Sequence, residues 1–254
     1  MSEKLKGVMG GLQQIRVKLL SDETPYVRKD PRSRADMDIP DEDAARAKRA
    51  GFNPQRPWYH GSPTGARIIE SGYIDPKLWD KDALRGPGFY ATDWWGEARG
   101  YAREGGRRTG AGIDVGEAAY DPRVMSLLMR YKPNEILDEN RLYKPSEAKE
   151  LGVKVKEPVF GSRIYATLFD RMNKEKLNEY LKDRGIVGIE HNQTNMFPGP
   201  GFSPGARTRN IVMFDPTRVR LPVAGFDRKG LSENDLYRRD GGSVGPLKRA
   251  SNDV

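Results

Sequence analysis

The chain contains no cysteine and only two histidines, His60 and His191, among 254 residues. Without cysteine there is no disulfide framework, no thiol nucleophile and no thiolate zinc site. Two histidines exclude a three-histidine metal centre. Long apolar runs are missing as well, since none approaches the ~20 residues that span a bilayer. The opening MSEKLKGVMGGLQQIRVKLL interleaves its apolar residues with Lys and Gln, so it lacks the h-region of a signal peptide. These absences point to a soluble protein made in a reducing compartment, with no membrane segment.

Hydrophobic residues are sparse at 36%, whereas Gly (28) and Pro (18) are plentiful. A domain of ~150 residues hides about 70% of its unfolded surface, so this length supports one real core. The composition favours one loop-rich domain with polar flanks over two packed domains. The net charge of +8 comes from charged residues of both signs, 31% of the chain. The densest basic cluster, Arg99, Arg103, Arg107 and Arg108, is interrupted by Glu104. Such spreading is typical of a solvated surface, and a nucleic-acid partner is the weaker reading.

Leu5, Val8, Met9, Leu12, Ile15 and Leu19 are spaced for a short amphipathic helix, which Gly7, Gly10 and Gly11 weaken by about 1 kcal/mol each. Residues 21–40 are charged, hold three prolines and show no periodicity, as a linker or extended arm would. The stretch 41–50 runs from acids to bases along the helix dipole and stops at Gly51. From about Pro57 to Arg220, strand-like and helix-like pieces alternate without the regular rhythm of a doubly wound sheet. The expected class is therefore α+β. The organisation expected is an N-terminal segment over 1–55, a folded domain over 56–220 and a polar tail over 221–254.

Three pieces stand out within that domain. Tyr59-His60-Gly61-Ser62 ends an expected strand. Gly86-Pro87-Gly88-Phe89-Tyr90-Ala91-Thr92-Asp93 is a Gly-framed aromatic strand, followed by a helix carrying Tyr101. Asn210-Ile211-Val212-Met213-Phe214-Asp215-Pro216 is a late strand. Singly they are weak signals. A lone His after a strand is more often structural. The Gly-X-Gly is neither a P-loop nor a Rossmann fingerprint, because the Lys and the third Gly are missing. Glu190 and His191 follow another short strand, "IVGI". A strand-end Glu is usually solvated, and His191 reads as a polar loop residue.

In their order and spacing the three pieces resemble the NAD-binding core of ADP-ribosyltransferases of the diphtheria-toxin and poly(ADP-ribose) polymerase type. The lead-in RAKRAGFNPQRPWYHG and the close IVMFDPTRVR look most like versions of that domain in bacteriophage-encoded, virion-associated proteins. The resemblance covers about Arg56 to Arg220. It implies split, mostly antiparallel sheets with flanking helices, and NAD as substrate. It also implies a location in the host cytoplasm or the virion, with the N-terminal helix and arm and the C-terminal tail gripping virion or other protein subunits.

The resemblance implies site roles as well. His60 would bond ribose hydroxyls. The Gly61 backbone would grip the carboxamide, with Ser62 adding a hydroxyl. Tyr90 and Tyr101 would sandwich the nicotinamide ring. Gly88, with Gly86, would bend the chain around the cofactor. One departure matters. The family's catalytic Glu heads the last strand, where this chain has Asn210, which carries no charge. Loss of such a group costs roughly 10²–10⁴-fold. The chain is thus expected to be a slow or different transferase, to use Glu190 as its carboxylate, or to keep the fold for structure as a virion or assembly protein.

Overall fold

The computed structural model describes residues 27–28, 41–80, 83–104, 122–194, 207–222 and 224. The helix expected over 1–20, most of the arm, Arg107, Arg108, the Gly/Pro-rich stretch up to residue 206 and the tail from 225 lie outside them.

Strands form where β-branched and aromatic residues gather between Gly and Pro stops. They are β1 (Val27–Arg28), β2 (Trp58–Ser62), β3 (Phe89–Thr92), β4 (Arg123–Met129), β5 (Ile136–Asp138), β6 (Leu142–Tyr143), β7 (Val159–Phe160), β8 (Gly188–Thr194), β9 (Arg207–Met213) and β10 (Val219–Arg220). The helices are α1 (Asp41–Arg49), α2 (Gly65–Ser71), α3 (Trp95–Glu104), α4 (Pro145–Glu150), α5 (Gly161–Phe169) and α6 (Lys174–Lys182). Between α5 and α6 the helical pattern breaks. Asn173 caps α6, its side chain accepting from Lys176 N at 2.9 Å, a contribution of about 1 kcal/mol.

The result is an α+β fold. Its main sheet has the order β1-β4-β2-β3-β9-β8-β5, with β10 on the end of β4. Every pairing is antiparallel except β5 with β8. β6 and β7 make a separate ribbon. The strands of the main sheet thus follow one path rather than two split sheets. A split survives only locally. β2 pairs with β4 along all five residues but meets β3 at one position, Tyr59 opposite Thr92. That single pairing keeps the halves joined.

Alternation along the strands sorts side chains onto two faces. One face gathers Trp58, Phe89, Ala91, Met125, Leu127, Ile211 and Met213, covered by Ile69 of α2 and by Leu221. The other carries two apolar patches. Val124 packs under Ala98 and Ala102 of α3. Leu137, Ile189 and Val212 pack under Ala148, Ile164, Leu168, Leu177 and Leu181 of α4, α5 and α6. Each fully buried Leu or Ile contributes roughly 1.5–3 kcal/mol. The helix α1 packs through Ala47 in a separate small cluster with Phe52, Leu128 and Ala224.

α3 lies so close to β2 that a Cβ on Gly61 would collide with the Ala98 carbonyl oxygen and crowd the Ala102 nitrogen. Both obstacles are backbone, so neither can swing aside. Gly61→Ala is therefore expected to cost about 3 kcal/mol or more. Urea unfolding followed by tryptophan fluorescence measures this, and a loss under 1 kcal/mol would contradict the close packing.

Candidate functional site

The register aligns Tyr59, Thr92, Asn210 and His191 in one row across β2, β3, β9 and β8. Residues directly opposite point to the same face. Asn210 and His191 therefore share the α3-covered face, together with Tyr90 and Thr208, which are two residues along their strands. His60, Glu190 and Arg209 are one residue out of step and lie on the opposite face.

On the α3 side, the polar row separates the two apolar patches. Its centre is Glu97, which is 0% exposed. Glu97 Oε2 accepts from the Thr92 hydroxyl at 3.1 Å and from the Thr208 hydroxyl. Oε1 has no hydrogen-bond partner. Desolvation raises the carboxyl above its ordinary pKa, opposed by the Thr208 and Thr92 hydroxyls and the Asn210 amide. Asn210 Nδ2 also donates to Gln193 Oε1 at 3.3 Å, and Gln193 Nε2 donates to the Tyr101 hydroxyl at 3.2 Å. The row thus joins α3, β3, β9 and β8 through Glu97, Asn210, Gln193 and Tyr101.

His191 occupies the next strand. It is 2% exposed and lies within β8, not in a polar loop, because β8 runs on to Thr194. Desolvation, with the nearby Arg85 guanidinium, lowers its pKa to about 4, so the imidazole is neutral near pH 7. Its Nε2 has no hydrogen-bond partner. Arg85 itself is held by Glu139 through two bonds, at 2.6 and 2.8 Å, and stacks 4.7 Å from the Tyr165 ring centroid.

Tyr90 is partly buried beside this row, and desolvation raises its pKa. Its hydroxyl accepts from Arg85 N and donates to Gly86 O, both at 2.9 Å, which closes the Gly-Pro-Gly turn. Gly86 adopts φ +81°, where only glycine is at ease. Gly88 lies against β9, where a Cβ would strike the Val212 side chain. Ser62 spends its hydroxyl on the turn, accepting from Thr64 N at 3.2 Å.

On the other face, His60 Nδ1 donates to Tyr90 O at 2.7 Å, and its ring lies 4.4 Å from that of Phe89. The imidazole thus bridges the gap left where β2 and β3 cease to pair. Burial lowers its pKa, which favours the neutral ring with Nε2 as an acceptor. Glu190 is also buried, and it stands within β8 rather than after a strand. It accepts from Arg209 Nε at 2.6 Å, and the Arg209 guanidinium lies 5.9 Å from the Trp58 ring centroid. Glu190 is thus ion-paired on the face opposite Asn210.

Glu97 is the polar residue that reading the sequence missed. In WGEARGYARE it looks like one more charge on an amphipathic helix. The available signal was its position one turn before Tyr101, on the same helix face. Among the described residues no group of three His, Asp or Glu is arranged to hold a metal, and no helix is long and apolar enough to cross a membrane. The chain matches no family model, no curated protein and no solved structure.

The lowered pKa of His191 carries a stability consequence. The unfolded imidazole takes up its proton near pH 6.5 and the folded one only near pH 4. His191 therefore stabilises the fold above pH 6.5, and that stabilisation is lost as pH falls toward 4, on the order of 3 kcal/mol in full. Glu97 has the opposite sign, because its raised folded pKa makes the fold gain stability as pH falls through it. His191→Gln should flatten the decline between pH 6.5 and 4. Urea midpoints at pH 4.5 and 7 test this, and an unchanged pH slope in the variant would refute it.

Proposed function

We propose that this chain is an NAD-dependent ADP-ribosyltransferase-like protein. The observation that carries the reading is the adjacency of β2, β3 and β9. The three sequence pieces that resemble the transferase core become three neighbouring strands, and the ladder opens between the first two beyond Tyr59. NAD would lie across that opening, the place where groups of both faces come together.

The reaction breaks the bond between the nicotinamide nitrogen and the anomeric carbon. The electron pair leaves with neutral nicotinamide, a nucleophile bonds the anomeric carbon, and its proton passes to solvent or a base. Little covalent work falls to the protein. It must orient two rings and favour positive charge on the ribose. Neutral His60, donating through Nδ1 to Tyr90 O, offers Nε2 to a ribose hydroxyl. Tyr90, fixed at its hydroxyl end, offers a ring face to nicotinamide, and Tyr101 a second one. Asn210 offers its amide to the ribose.

A second reading draws on the fate of the carboxylates. With Asn210 in the middle of β9 and Glu190 spent on Arg209, the fold also suits a structural virion or assembly protein without catalysis. Copurification with particles at fixed stoichiometry, with no NAD turnover, would select it.

Titration calorimetry with NAD and with a non-hydrolysable analogue decides the first point. Saturable binding at or below millimolar ligand is expected. His60→Ala should weaken it about tenfold, ~1.4 kcal/mol. Absence of binding by the unaltered chain at millimolar NAD would sink the NAD site.

A further inference from the structure

We infer that Glu97 supplies, from behind Asn210, the negative charge that this site needs at the ribose. The inference rests on the NAD reading above and extends it. Three observations converge on Glu97. It is wholly buried beside the polar row, so solvent does not screen it. Its Oε2 is fixed by Thr92, which pairs with Asn210 from β3, and by Thr208, two residues before Asn210 on β9. Its Oε1 is left unpartnered among the described residues, an arrangement that costs folding stability.

Charge acts over several ångströms in a dry interior, so the carboxylate need not touch the ligand. Asn210 is the intermediary. Its amide faces the Glu97 carboxyl and Gln193 Oε1. That polarises the amide and leaves the carbonyl oxygen as the acceptor toward a ribose hydroxyl. Glu97 is thus a positioning and electrostatic residue that works through Asn210. Among the described residues, the charged or titratable groups acting on it are Asp93 and, from its own helix, Tyr101.

The test is NAD hydrolysis by the full chain, with binding followed in parallel by calorimetry. Glu97→Gln keeps the shape and removes the charge. It should lower kcat at least tenfold while KM moves less than threefold. The unaltered chain should lose kcat as pH falls through a value above the ordinary carboxylate range, and the variant should lack that acid limb. Because Glu97→Gln also disturbs the Thr92 and Thr208 bonds, a second variant is needed. Glu97→Gln combined with Asn210→Glu places a carboxylate at position 210 of β9 and should recover turnover.

Equal kcat and an unchanged pH profile in Glu97→Gln would overturn the inference. So would a double variant that binds NAD yet recovers nothing, since Glu97 would then only pack the strands. NAD binding without turnover by the unaltered chain would also overturn it, while leaving the NAD site standing. No binding at all would remove the reading on which it rests.

Discussion

The close approach of α3 to β2 at Gly61 is the constraint on which the arrangement depends. A helix normally stands off a strand by the depth of its side chains. Here the missing Cβ of Gly61 and the small Ala98 and Ala102 let backbone meet backbone. That contact sets the height and rotation of α3 over the sheet. One consequence is Glu97 lowered onto Thr92 and Thr208. The other, one turn on, is Tyr101 beside Gln193. The resemblance assigned Gly61 to gripping a carboxamide, whereas its position also makes it the seat of α3. The two roles are compatible, because α3 covers the face of Gly61 and a ligand would use its backbone edge.

How much was legible in the sequence follows from the range of each signal. β3 was readable because glycine spacing and alternation are local. The α+β class was readable from the irregular mixture of elements. The fate of Glu190 and His191 was not. Both were placed at or beyond a strand end, and both are buried within β8, because pairing with β9 carries the strand to Thr194. No local pattern in GIEHNQTN announces that partner. Faces were not legible for the same reason. His60 and Asn210 each looked like site residues, yet register places them on opposite sides of the sheet, and register is set by pairing Tyr59 with Thr92 and Thr92 with Asn210, residues far apart in the chain.

The polar row has a physical logic of its own. Interiors tolerate polar groups only when they are bonded, and Thr92, Thr208, Gln193 and Asn210 largely satisfy one another. The exceptions include one oxygen of Glu97 and one nitrogen of His191, on either side of Asn210, and the Ser126 hydroxyl opposite Tyr59. Arg85 is not among them, because Glu139 takes its charge through two bonds.

The buried Glu97 bears on why Asn210 stands where the resemblance leads one to expect a carboxylate. Two carboxylates in contact inside a protein cannot both ionise, because each raises the pKa of the other. With Glu97 already buried against Thr92 and Thr208, a Glu at position 210 would meet it directly. One of the pair would hold a proton, and the net charge at the ribose would be no greater than Glu97 alone provides. An amide avoids the conflict. It accepts the field of Glu97 on its N–H side and presents an oxygen on the other, so one buried charge would serve both packing and the proposed site. On that proposal, the amide at position 210 is what a carboxylate on α3 requires of its neighbour on β9.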